Sequence, residues 1–212
     1  VVSGGIRLKS DVKLPSIKEA LRIIMRSPKG RLALSSMVIS QVAMVAIMTM
    51  TPVHMKLHGH ENISQFVVSL HIAGMYAFSP FVGRYADKKG TIAAVYVGAI
   101  TLVAATVLSA LSGDSSLILF PALWLLGIGW NFGLIGGSSM LLESVTSEER
   151  VTVQGSADLM MSFCGGMAGL ASGFVRRAVG YHMLSVAGLV LVGALLVYAG
   201  FMNTRQKAAI PA

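Results

Sequence analysis

The sequence predicts an all-α membrane protein with six transmembrane helices. Three observations carry that expectation. The 212 residues are 54% hydrophobic and 12% charged, with a mean hydropathy of +0.72, whereas a soluble domain of this size needs far more charge to cover its surface. Six windows reach the roughly 20 apolar residues that cross a bilayer, at 32–53, 66–82, 91–111, 117–142, 151–175 and 182–202. Fourteen of the seventeen Lys and Arg fall in the N-terminal segment, the second and fourth loops and the C-terminal tail, leaving only Lys56, Arg176 and Arg177 for the opposite side. Cytoplasmic loops carry such an excess, so both termini are expected in the cytoplasm of a multi-pass cell-membrane protein. The net charge of +8 follows this division and not a continuous basic face, which argues against nucleic acid as a partner. The lone Cys164 excludes an internal disulfide and falls inside a span.

Residues 1–30 read as a basic cytoplasmic linker. Its first fifteen residues are polar, and because the first thirty are too polar for one, no cleavable signal peptide is expected. Because the chain opens on Val1, it is expected to be a fragment or a product of an alternative start codon. Ser16 and Glu19 have capping-box spacing, which lets the two side chains satisfy the orphan N–H groups of a helix start. Ile17, Ala20, Leu21, Ile24 and Met25 then share one face while Lys18, Glu19, Arg22 and Arg26 share the other. This predicts an amphipathic helix on the membrane surface, ending near Pro28; a solvated basic linker is the plainer alternative.

Residues 31–203 form the six-span domain and 204–212 a cytoplasmic tail. The third and sixth spans are almost purely Ala, Val, Leu, Ile and Gly, as suits lipid-facing helices. The fourth and fifth carry glycines at four-residue spacing, Gly129, Gly133 and Gly137, then Gly165, Gly169 and Gly173. Small residues on one face let backbones approach, which drives helix association where the hydrophobic effect cannot.

Between the second and third spans lies Gly83-Arg84-Tyr85-Ala86-Asp87-Lys88-Lys89-Gly90, read as a short basic loop. It resembles the signature loop of the major facilitator superfamily of secondary transporters, Gly-x-x-x-Asp-Arg/Lys-x-Gly-Arg/Lys. Gly83, Asp87, Lys88 and Gly90 match, and Thr91 replaces a usual basic residue. The stretch Met48-Thr49-Met50-Thr51-Pro52-Val53-His54-Met55, His58-Gly59-His60, His71 with Gly74-Met75, and Gly129-Trp130-Asn131-Phe132 resemble the C-terminal half of a bacterial drug-efflux-like subgroup. The resemblance covers residues 16–203. It implies a 6+6 fold of which this chain is one half, alternating access, proton-coupled efflux by an antiporter, and the absent N-terminal six-helix half or a second copy as partner. It also implies that the first and fourth spans face a central cavity, and that Asp87 contacts the other half.

Polar residues inside spans are costly and default to functional roles. Gln41, Met44, Met48, Trp130 and Asn131 are expected to line a cavity for a small amphipathic or aromatic substrate, with the amides orienting it and the thioethers fitting its shape. Interhelical hydrogen bonding is the competing reading of the two amides. Asp158, on one helix face with Gln154, and His71 are candidates for proton coupling; a structural hydrogen bond and a packed histidine are the alternatives. Asp87 is expected to cap the third span, with Gly83 and Gly90 giving close helix approach and a tight turn. The resemblance implies that Glu143 forms a gating network with Arg84, Lys88 and Arg150. His54, His58 and His60 lack the convergent ligands of a metal site, and no cofactor is expected. No Ser-His-Asp set, His-Glu-x-x-His or Gly-x-Ser-x-Gly motif speaks for an enzyme. The alternative to transport is a non-transporting scaffold or truncated product that binds partner helices.

Overall fold

The computed structural model describes residues 16–113 and 115–208, and these are helical almost throughout, with no strand. The helices are α1 (Ile17–Arg26), α2 (Pro28–Leu57), α3 (Glu61–Tyr76), α4 (Ser79–Lys89), α5 (Thr91–Leu111), α6 (Ser116–Glu143) and α7 (Arg150–Ala208). The expected fold class holds: a membrane-protein bundle whose six spans are α2, α3 with α4, α5, α6 and the two arms of α7.

α7 is the element that sequence windows divide and the helix continues. A straight helix of its 59 residues would be roughly 88 Å long, about three times the hydrocarbon thickness. Gly180 interrupts it at φ 86° and ψ 170°, a conformation that a Cβ disfavours. The contacts on α2 show that the chain reverses there. Along the first arm, Gly165, Gly169 and Ser172 meet Gln41, Val45 and Thr49 in the same order. Along the second, Tyr181, Gly188 and Tyr198 meet Thr51, Ile47 and Pro28 in descending order.

The second span is broken. Ala77 and Phe78 form a turn between α3 and α4. Pro80 follows in the first turn of α4, and having no N–H it leaves the carbonyl four residues back without its helical partner. The segment read as a loop, 83–90, is corrected: Gly83 to Lys89 are the last two turns of α4, and the turn is confined to Gly90 at φ 93°.

The capping box on α1 is formed, with Ser16 N–H donating to Glu19 Oε2 at 2.8 Å and Glu19 N–H to Ser16 Oγ at 3.3 Å. The helix does not simply rest on a surface. Ala20 and Ile24 are fully buried with Val153, Ala157 and Leu195, while Ile17 and Met25 stay exposed.

Two apolar cores stack along the bundle. One joins α1 to the α2 start, α5 and both arms of α7 through Ile24, Leu32, Met37, Val95 and Leu195. The other surrounds Ile47, Leu102, Leu123, Leu126 and Trp130. α6 reaches its neighbours through its glycines. Gly127 lies against the His71 carbonyl, Gly129 against Leu102, Gly133 against Ser40 and Gly137 against Met37. The second stripe is used only in part: Gly165 and Gly169 contact α2, and a Cβ at Gly173 would meet open space. A testable consequence follows from that contrast. Gly133→Val forces α2 and α6 apart and should cost about 1–3 kcal/mol in detergent unfolding, while Gly173→Ala should leave stability unchanged or raise it. Equal losses in both would contradict the packing assignment.

Candidate functional site

α6 carries Trp130 and Asn131 on adjacent positions, about 100° apart around the helix, so they serve different neighbours. The Trp130 indole N–H donates to Gln41 Oε1 on α2 at 2.6 Å. Tyr76, in the last turn of α3, meets the indole edge-on with ring centroids 6.0 Å apart. Gly165 of α7 permits this arrangement, since a Cβ there would lie 2.7 Å from Gln41 Cγ. Met44 is buried in the core that contains Trp130, with Met48 partly buried against it. Asn131 turns toward the α3–α4 break, where the Ser79 hydroxyl donates to its Oδ1 at 3.3 Å. Its Nδ2 is buried and has no hydrogen-bond partner. The structure thus joins Gln41 to Trp130, seats Met44 and Met48 around the same core, and directs Asn131 to the broken helix.

The two candidates for proton coupling stand apart. His71 is buried, and its Nδ1 bonds the Leu123 carbonyl at 2.8 Å. A carbonyl only accepts, so Nδ1 carries the proton; Nε2 is buried without a partner. Asp158 accepts from Gln154 Nε2 at 2.9 Å, and Gln154 Oε1 accepts from Ser138 at 3.0 Å. This chain fixes the orientation of the Gln154 amide and ties α6 to α7. Leu123 and Ser138 are fifteen residues apart on α6, roughly 22 Å along its axis, so the two groups occupy different depths and form no contiguous relay.

At the end of the bundle that holds Gly90, Arg84, Asp87, Lys88, Glu143 and Arg150 are all exposed. The expectation that Asp87 caps α5 is corrected: Gly90 occupies the N-cap and no side chain bonds the first turn. Instead Thr91, the first residue of α5, donates from its hydroxyl to Glu143 Oε2 at 3.1 Å. This brings the Glu143 carboxylate to the positive end of α5, where an anion is favoured by about 0.3–1 kcal/mol. Among the described residues, no basic nitrogen lies within 4 Å of Glu143; the ion pair that forms is Lys56–Glu61, at the other end. A Cβ added at Gly83 would meet nothing within 4 Å among the described residues, so close helix approach does not require that glycine, whereas Gly90 does make the turn.

Tyr76, Ser79 and Ser138 were not singled out in the sequence, and Thr91 only as the residue that stands where a basic one is usual. Tyr76 and Ser79 both precede Pro80 within four residues, closely enough for a helix break to have pointed to them. Ser138 and Thr91 offered no local signal, because their partners come from other helices.

A family model described as Major Facilitator Superfamily matches residues 16–211. The chain is 43% identical over 158 residues to an uncharacterized MFS-type transporter, YddS, of Bacillus subtilis strain 168, covering 73% of this chain and 36% of that protein. It is 40% identical over 157 residues to a second uncharacterized MFS-type transporter of that strain, YdeG, with 73% and 36% covered. It is 31% identical over 179 residues to the riboflavin transporter RfnT of Brucella anthropi, with 82% and 45% covered. The chain therefore spans between a third and a half of the length of the curated relatives it matches. No solved structure matches it.

Proposed function

The chain belongs to the major facilitator superfamily, and we propose that it is the C-terminal six-helix half of a proton-coupled antiporter that exports a small organic molecule. Its work is transport and not catalysis, and it operates in the cell membrane with both termini cytoplasmic, which the bias of basic residues supports. Alternating access needs a second six-helix half across the cavity, supplied by an N-terminal half or a second copy.

The observation that carries the reading is the Gln41–Trp130 hydrogen bond beside Tyr76 and the broken second span. A flat, neutral or amphipathic aromatic molecule suits it: rings stack or meet edge-on with Tyr76, which is exposed beside the buried Trp130, while the buried Asn131 Nδ2 lacks a partner and gains one only where the break opens to the ligand. The name of RfnT, a riboflavin transporter, belongs to the same chemical class of ligand.

The test is transport of riboflavin and ethidium in inside-out vesicles carrying the two-half transporter. Both the gradient and its collapse by an uncoupler are needed. Uptake above empty vesicles that the uncoupler removes is the expected result. No gradient-dependent movement of either probe would sink the proposed ligand class and coupling together.

A further inference from the structure

The end of the bundle opposite Gly90 holds a cavity of about 720 Å³ that plays no part in the site above. It lies where α2 ends, α5 ends and α7 reverses, and His54, His58, Arg176, Arg177, Tyr181 and His182 line it. Two of the three basic residues on this side of the chain therefore point to one place, with three imidazoles. Among the described residues, none that lines it is acidic. Neither arginine has a carboxylate within 4 Å among the described residues, and Arg176 Nε is buried with no hydrogen-bond partner. Arg176 is half-buried and Arg177 exposed, and a buried guanidinium N–H without an acceptor is costly, so an anion in the cavity would supply what Arg176 Nε lacks.

The walls are prebuilt. His54 stacks on Tyr181 with centroids 4.4 Å apart, and its Nε2 bonds the Gly113 carbonyl at 2.8 Å. His182 Nδ1 bonds the Ala110 carbonyl at 2.7 Å, and Tyr181 is held by Thr51 at 2.9 Å. These bonds fix the rings on two helices and leave the two arginines as the adaptable arms. Leu111, Val179 and Met183 border the cavity in sequence and are exposed, which gives the anion an apolar flank at the end of a membrane span.

We propose that this cavity binds a phosphate group, the headgroup of an anionic phospholipid or a free phosphate, through Arg176 and Arg177. Guanidinium forks match phosphate oxygens two at a time, and the apolar flank favours a headgroup whose acyl chains run down α5 and the second arm of α7. The site belongs to the opposite end of the bundle from Trp130 and stands independently of the transported molecule.

The test uses delipidated purified protein and native mass spectrometry, with phosphatidylglycerol, phosphatidylcholine and inorganic phosphate as probes. One phosphatidylglycerol should bind about 10-fold more tightly than phosphatidylcholine, which has the same phosphodiester but adds a choline cation that the two arginines repel. Arg176→Gln should erase the preference. Arg177→Gln, at an exposed position, should reduce it, and keeps the test valid if Arg176→Gln fails to fold. Lys56→Gln, on the same side but paired with Glu61, should leave it unchanged. Competition by millimolar inorganic phosphate would assign the site to a free anion and retain the arginine role. Equal binding of the two lipids with no phosphate binding would overturn the proposal. So would equal losses in all three variants, which would indicate diffuse charge.

Discussion

Replacing Asp158 by asparagine should remove gradient-driven accumulation, a fall of at least about 100-fold, while substrate exchange down a gradient stays within about three-fold. The expectation rests on what the substitution keeps. Gln154 Nε2 donates to Asp158 Oδ1, and Ser138 holds the other end of that amide. Asparagine retains an Oδ1 acceptor, so the bridge between α6 and α7 persists and only the ionisable carboxyl is lost. Asp158→Leu removes the acceptor as well. It leaves the Gln154 amide without its partner inside a span, and should lower the unfolding midpoint by the equivalent of about 1–3 kcal/mol. The pair of variants separates proton coupling from a structural hydrogen bond. Accumulation by Asp158→Asn at near the wild-type rate would end the coupling role, and His71, some 22 Å away along α6, offers no contiguous substitute.

The spans were legible because each is set by local composition. About 20 apolar residues need a membrane whatever surrounds them, and Ser16 with Glu19 announces a helix start through contacts three residues apart. The errors have a common physical origin. Gly83 to Lys89 looked like a loop because charge and glycine are usual in loops. Yet a helix end that leaves the membrane can carry both, and the turn itself needs only Gly90. Asp87 was assigned to the α5 start by sequence proximity. The acid that reaches that helix end is Glu143, 52 residues from Thr91. Of the cavity residues, composition singled out Gln41, Trp130 and Asn131 as unusual in a span, but not that the first two bond each other and the third faces Ser79. Those pairings depend on helix rotation, which is set by glycine contacts such as Gly133 on Ser40 and Gly165 on Gln41. A six-glycine pattern reports that close packing occurs and not which neighbour is met.

Trp130→Phe should raise KM for an aromatic probe by about 10–100-fold, the kinetic equivalent of one unsatisfied buried group. The ring remains, so stacking area and the Tyr76 contact largely persist; the indole N–H to Gln41 is what disappears. Gln41→Leu removes the other partner and should have a similar effect alone. The double variant then decides what the bond does. If it only joins α2 to α6, losing both polar partners leaves nothing unsatisfied, and the double variant should recover most of the affinity and stability. If Gln41 and Trp130 present a fixed polar edge and ring to the ligand, the double variant should bind no better than the worse single. It should also keep its unfolding midpoint, because an apolar pair of similar shape packs against Gly165. Recovery of KM in the double variant would assign the bond to helix association and remove it from substrate recognition, leaving Asn131 and the break at Ala77–Phe78 as the remaining polar contacts for the ligand.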